Sequence, residues 1–180
     1  MGSSGCDQRQ TLEGSRPWAG AIRGSGREIE MARVLYTAEA TVTGGRVSGH
    51  GRTHDGVLDV QLRVPKEMGG DGGGTNPEQL FAVGYAACFE GALGVVGRRE
   101  RVETGDASIE SRVSLLPTED RGFALAVELH VTLPQISDPE RAAQIVAAAH
   151  QVCPYSNATR GNIDVTLTAN GHGVDSGVGD

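Results

Sequence analysis

An α+β fold with an antiparallel sheet and two main helices, in the order βββ-α-ββ-α-β, is predicted by three features of this 180-residue chain. Leu58, Val60, Leu62 and Val64 alternate with Asp59, Gln61 and Arg63, the period of a half-buried strand. Two apolar segments with helix-start signals follow, near Pro77 and Pro139. Strand-like runs lie between and after them, and strands interleaved with two helices in this order read as one α+β domain.

Taken in order, Val34–Thr43 is β-branched and apolar enough for a strand, broken by Gly44-Gly45. The alternating strand ends at Pro65, and Gly69–Thr75 is a loop. Thr75 or Asn76 can cap the first helix, with Pro77 at its first position and Glu78 complementing the dipole. It should run to about Gly97, apolar on most faces and therefore central. Gly84, Gly91 and Gly94 each weaken it by about 1 kcal/mol relative to alanine, so another backbone is expected close by, such as a partner subunit's helix. Ser108–Leu115 and Phe123–Leu133 read as strands joined around Pro117–Gly122. Ser137 and Glu140 have capping-box spacing for a second helix, which turns Ile145, Val146, Ala149 and Val152 inward. Ile163–Thr168 is the last strand.

Residues 1–30 lack a hydrophobic period and are expected to be a disordered extension carrying Cys6 and Trp18, with the domain over 31–170 and a frayed tail over 171–180. The net charge of −7 and a pI near 5.2 argue against a nucleic-acid partner. The longest unbroken apolar run is Leu80–Phe89, about half of a bilayer span, so no membrane insertion is expected. The N-terminus has no secretory core, which points to the cytoplasm.

Cys88 lies inside that apolar run. Cys153 opens Cys-Pro-Tyr-Ser-Asn-Ala-Thr-Arg-Gly-Asn, 65 residues on, outside the short spacings of zinc sites. Two such cysteines in a cysteine-poor chain suggest thiol redox chemistry. His150 and Cys153 have no second pair to complete a metal site. His50 and His54 read as solvated loop residues and Arg160 as structural. The Gly69–Gly74 loop lacks the lysine of a phosphate cradle.

The segments Thr75-Asn76-Pro77-Glu78-Gln79-Leu80-Phe81 and Gly84-Tyr85-Ala86-Ala87-Cys88-Phe89 resemble the organic hydroperoxide resistance (Ohr) proteins of the OsmC/Ohr superfamily. So does Val152–Val165, which looks like the family's second-cysteine signature, and the likeness spans residues 33 to 170. The resemblance implies an OsmC/Ohr-like fold, an intertwined homodimer, and a thiol-dependent peroxidase reducing alkyl, aryl or fatty-acid hydroperoxides to alcohols. It implies no metal and no cofactor, with a lipoamide-type dithiol as reductant. It matches Cys88 to the peroxidatic cysteine, Cys153 to the resolving one, Arg46 to the assisting arginine and Glu78 to its carboxylate partner. The alternatives are the sister OsmC branch of peroxidases and a non-enzymatic thiol redox sensor.

The chemistry fits those residue types. A thiolate attacks the peroxide and becomes a sulfenic acid, and burial in an apolar helix opposes that thiolate. Cys88 is about three turns into its helix, too far for the dipole to help, so something else must support the anion, and an always-charged arginine can. Glu78 and Cys88 are ten residues apart, roughly 15 Å on a straight helix. Glu78 is therefore expected to reach Cys88 from a partner subunit, or the helix to be irregular near its start. Cys153 either ends the second helix or caps a new short one begun by Pro154. Phe81, Phe89 and Leu93 are expected to receive the organic part of the substrate.

Overall fold

The computed structural model describes residues 33–175. The expected disordered extension, with Cys6 and Trp18, lies outside the described residues, as does the end of the tail from residue 176. Contacts divide the chain into a unit ending at Ala38 and a unit from Glu39 onward. In the first, residues 33–38 have no regular secondary structure, so the strand expected from Val34 is formed only as β1, Ala40–Thr43.

The second unit opens with a three-stranded antiparallel meander, β1, β2 (Gly49–Thr53) and β3 (Asp59–Arg63). A single helical turn, α1 (Gly45–Ser48), joins β1 to β2. That turn depends on Gly49: a Cβ there would lie 1.9 Å from the Gly45 carbonyl oxygen. β3 has the alternation expected of it, with Leu62 buried, Val60 half-buried, and Asp59 and Gln61 exposed.

A 3-10 turn (Lys66–Met68) and the glycine loop lead to α2, Pro77–Glu100. Asn76 is its cap, its side chain accepting from the Gln79 N–H at 2.9 Å. By length and composition alone α2 could cross a membrane, with a mean hydropathy of 1.6 over its best window. Counting only unbroken apolar residues missed this, because Glu90 interrupts the run. One face of it packs into the core, with Tyr85, Phe89, Ala92, Leu93 and Val96 buried, while Val83 on another face is exposed, so within one chain the helix is not the buried central element expected.

β4 (Ser108–Pro117) and β5 (Phe123–Thr132) form a long hairpin, Val113 opposite Val127. α3 (Pro139–Val152) and the short α4 (Pro154–Thr159) then cross over the sheet. That crossover returns β6 (Asp164–Ala169) parallel to β5, so this sheet is mixed rather than wholly antiparallel. β7 (His172–Gly173) pairs with β6, and the Val174 N–H reaches the Leu167 carbonyl; the tail expected to fray is thus ordered through this point. The cap of α3 is Asp138, bonded to the Glu140 N–H, and not Ser137 as the capping-box spacing suggested.

One face of β5 and β6 (Val127, Leu129, Val131, Leu167, Ala169) packs with α2 and α3 (Ile145, Val146, Ala149) into a single buried cluster. Val152, expected inward, is only half-buried at its edge. No residue of β1–β3 belongs to that cluster, and Val42 of β1 is exposed. Within one chain, no other backbone approaches Gly84, Gly91 or Gly94. Gly91 faces open space, Gly84 faces the Tyr155 ring, and the close backbone contact falls at Gly97, where the Val102 carbonyl would lie 2.8 Å from a Cβ.

Candidate active site

The four residues expected at the site fall into two pairs. The first is Arg46 and Glu78. α1 presents Arg46 from the first sheet, and the first turn of α2 presents Glu78. Arg46 Nη2 donates to both carboxylate oxygens, 2.7 Å to Oε2, and Glu78 is mostly buried. The pair lies within one chain. Arg46 Nε is buried with no partner, which leaves one directed donor unused. Among the described residues no hydrogen bond joins Arg46 to either cysteine. α2 is continuous α-helix from Pro77, so the irregular start offered above is not found.

The second pair is Cys88 and Cys153. Cys88 is half-buried on α2, Cys153 fully buried, and their sulfurs are 3.5 Å apart as free thiols. Burial pushes the Cys88 thiol above its ordinary value; the Tyr155 backbone N–H pulls the other way, and Cys153 adds to the rise. The two placements left open for Cys153 are both realised: it caps the end of α3 and the start of α4. Its N–H closes on the Ala149 carbonyl and its own carbonyl accepts from Asn157. Pro154 has no N–H, so Tyr155 supplies the first free amide of α4, and that amide faces Cys88.

Sequence reading missed the groups that join α4 to α2. The Tyr85 hydroxyl, fully buried, bonds to Ser156 Oγ at 3.0 Å and Thr159 Oγ1 at 3.1 Å. Phe81 and Tyr155 stack at 5.9 Å between centroids, and Tyr85 tilts against both. The available signal was spacing: Phe81, Tyr85 and Cys88 are four and three residues apart, one face of a helix. Of the apolar residues expected to receive substrate, Phe89 and Leu93 are wholly buried core, and Phe81 alone is partly open.

Arg160 is structural, donating to the His150 carbonyl and to Asn157 Oδ1, each at 2.9 Å. His150 is buried beside Phe89, its Nδ1 unpartnered, and burial with the nearby Arg160 charge holds its pKa below the ordinary value. His50 lies in β2 rather than in a loop and pairs with Asp59, and His54, in the turn after β2, pairs with Glu39. Among the described residues no group of three His, Cys, Asp or Glu is placed to hold a metal ion. A cavity of about 470 Å³ near Gly94, Arg98 and Thr104 includes neither cysteine in its lining.

Two free cysteines, one half-buried and one buried, thus stand with their sulfurs 3.5 Å apart on an α+β frame of two sheets and two main helices. Residues 70–168 match the family model described as OsmC-like protein. The organic hydroperoxide resistance protein of Xanthomonas axonopodis pv. citri is 53% identical over 138 residues, covering 76% of this chain and 95% of that protein. The organic hydroperoxide resistance protein OhrB of Bacillus subtilis is 50% identical over 134 residues, covering 74% and 96%. The crystal structure of OhrB superposes with a TM-score of 0.69 at 49% identity, covering 76% of this chain and 99% of that one. An organic hydroperoxide resistance protein from Legionella pneumophila gives 0.72 at 50% identity, covering 76% and 98%. The chain belongs to the OsmC-like family, as its two cysteine segments implied.

Proposed function

We propose that this protein is a cysteine-based peroxidase that reduces organic hydroperoxides to alcohols. The observation that carries the reading is the 3.5 Å separation of the Cys88 and Cys153 sulfurs in a chain about half identical to organic hydroperoxide resistance proteins.

The Cys88 thiolate attacks the terminal peroxide oxygen. The O–O bond breaks, the alkoxide leaves and takes a proton as the alcohol, and Cys88 becomes a sulfenic acid. Cys153 attacks that sulfur, expelling water and closing the disulfide. A lipoyl-type dithiol reduces the disulfide, becoming a disulfide itself while both protein thiols are restored. Arg46 supports the thiolate, Glu78 orients Arg46, and the unused Nε–H is the donor available for sulfur. Phe81 and Tyr155 form the apolar wall beside Cys88, worth up to about 0.8 kcal/mol per substrate CH₂ buried.

In this reading the working form is a homodimer, in the cytoplasm. The first sheet shares nothing with the buried cluster, and Val83 on α2 is 71% exposed, so a second copy has apolar surface to cover.

The test is anaerobic turnover of cumene hydroperoxide with dihydrolipoamide. Wild type should turn over many times and Cys88→Ser not at all; with the dithiol left out, Cys153→Ser should consume one equivalent and stop. Disulfide formation without repeated turnover would favour a redox sensor instead. Equal efficiency with hydrogen peroxide would remove the case for an organic substrate.

A further inference from the structure

α2 and α4 meet along two rungs. Cys88 faces Cys153, with the sulfurs 3.5 Å apart. Tyr85, three residues earlier on α2, faces Ser156, three residues later on the chain, with the oxygens 3.0 Å apart. The two segments thus run antiparallel, and the hydroxyl rung lies one helical turn from the sulfur rung. Thr159 bonds to the same Tyr85 oxygen at 3.1 Å, and all three hydroxyl-bearing residues are buried.

α4 has only six residues, too few to be stable alone. Its place is set by what grips it. Arg160 ties its far end to the end of α3 through the His150 carbonyl, but α3 and α4 share the Cys153 joint, so that tie cannot fix α4 against α2. The Tyr85 hydroxyl, one turn from the Tyr155 amide that faces Cys88, is the side-chain polar grip from α2. Gly84 beside it lets the Tyr155 ring close, and that ring supplies contact area without a directed bond.

We propose that Tyr85 is a positioning residue whose hydroxyl, through Ser156 and Thr159, holds Cys153 in bonding register with Cys88. Tyr85 takes no part in bond making. It raises the effective concentration of one thiol at the other. The inference rests on the reading of Cys88 and Cys153 as a reacting pair, and deepens it.

The experiment measures the thiol–disulfide equilibrium of the full chain against oxidised and reduced dithiothreitol. Two protein thiols lose two electrons and two protons to the reagent disulfide as the protein S–S bond forms. Tyr85→Phe, which keeps the ring and removes the oxygen, should lower the equilibrium constant for disulfide formation about tenfold, a shift of about 30 mV. Thr159→Val should shift it in the same direction, and it carries the test if Tyr85→Phe does not fold. Gly97→Ala, which strains α2 away from the rungs, should lower the melting temperature and leave this constant within about twofold. Folded Tyr85→Phe with the wild-type constant would overturn the proposal. One equivalent of cumene hydroperoxide forms the second arm. If wild type consumes none of it, the peroxidase reading fails, and the dithiothreitol equilibrium still decides the role of Tyr85.

Discussion

Gly84 and Tyr155 are matched across the contact of α2 with α4: a Cβ on Gly84 would lie 3.3 Å from the tyrosine hydroxyl oxygen. Alanine there gains up to about 1 kcal/mol of helix propensity, and the ring must yield by a few tenths of an ångström. Tyr155 is 40% exposed and can yield. Gly84→Ala should therefore hold or raise the melting temperature, whereas Gly84→Leu should drive the ring aside and raise KM for aryl hydroperoxides. A loss above about 1 kcal/mol in Gly84→Ala would show the ring to be fixed.

Gly97 has the opposite sign. A Cβ there meets the Val102 backbone carbonyl at 2.8 Å and Thr104 Oγ1 at 2.5 Å, and backbone cannot swing away. Gly97→Ala should cost about 1–3 kcal/mol in chemical denaturation, more than helix propensity returns.

Burial raises the Cys88 thiol, so its thiolate requires support. If Arg46 gives it, Arg46→Ala in a Cys153→Ser background should move the 240 nm thiolate transition upward by about one pH unit or more. Peroxide reduction should slow in proportion at neutral pH. An unchanged transition would remove Arg46 from that role.

His150 gives an acid-side signature. Its pKa is held below 6.5 in the folded chain, by burial first and Arg160 second. Above 6.5 the imidazole is neutral in both folded and unfolded states, and the fold carries no penalty from it. As pH falls through 6.5 the unfolded chain takes up the proton and the folded one does not, so stability declines. Denaturation midpoints between pH 7.5 and 5 should fall for wild type and flatten in His150→Gln. Parallel curves for the two would show that His150 does not titrate on unfolding.

If two copies cover the first sheet and the outer stripe of α2, the melting temperature should rise with protein concentration. Val83→Asp and Val42→Asp place a charge on exposed apolar positions and should abolish that dependence. Sedimentation measures the same change directly. A concentration-independent monomer would leave those faces without a second copy.

Elements with strong local signals were legible in the sequence. Asn76-Pro77 marks the start of α2 because a cap, a pre-set φ and a missing donor coincide there. The β4–β5 hairpin follows from two β-rich runs around a turn. What failed depended on tertiary contact. Glycine in a helix reports that something comes close but not what, and at Gly84 it is a tyrosine ring rather than a backbone. Ser137 and Asp138 both suit a cap, and only backbone geometry chooses between them. The parallel pairing of β6 depends on where α3 and α4 deliver the chain, which no strand-local pattern encodes. Of the candidate site, the two cysteines, Arg46 and Glu78 could be proposed from sequence segments, and the structure groups them as two pairs. The Tyr85 grip could not, because a tyrosine among apolar helix residues looks like core until its hydroxyl finds Ser156 and Thr159.

Cys153 carries both ends of two hydrogen-bond ladders: its N–H completes α3 and its carbonyl begins α4. Its backbone is pinned on either side, and only its side chain is free to turn. The sulfurs need close by only about 1.5 Å to bond, since a disulfide spans about 2.05 Å and they already stand at 3.5 Å. Rotamer adjustment would suffice for that travel. The oxidised and reduced proteins should then share one far-ultraviolet circular dichroism spectrum and differ in the near-ultraviolet, where Tyr155 and Tyr85 report. A catalyst built so need not refold a segment in each cycle, and its pace can be set by encounters with peroxide and reductant.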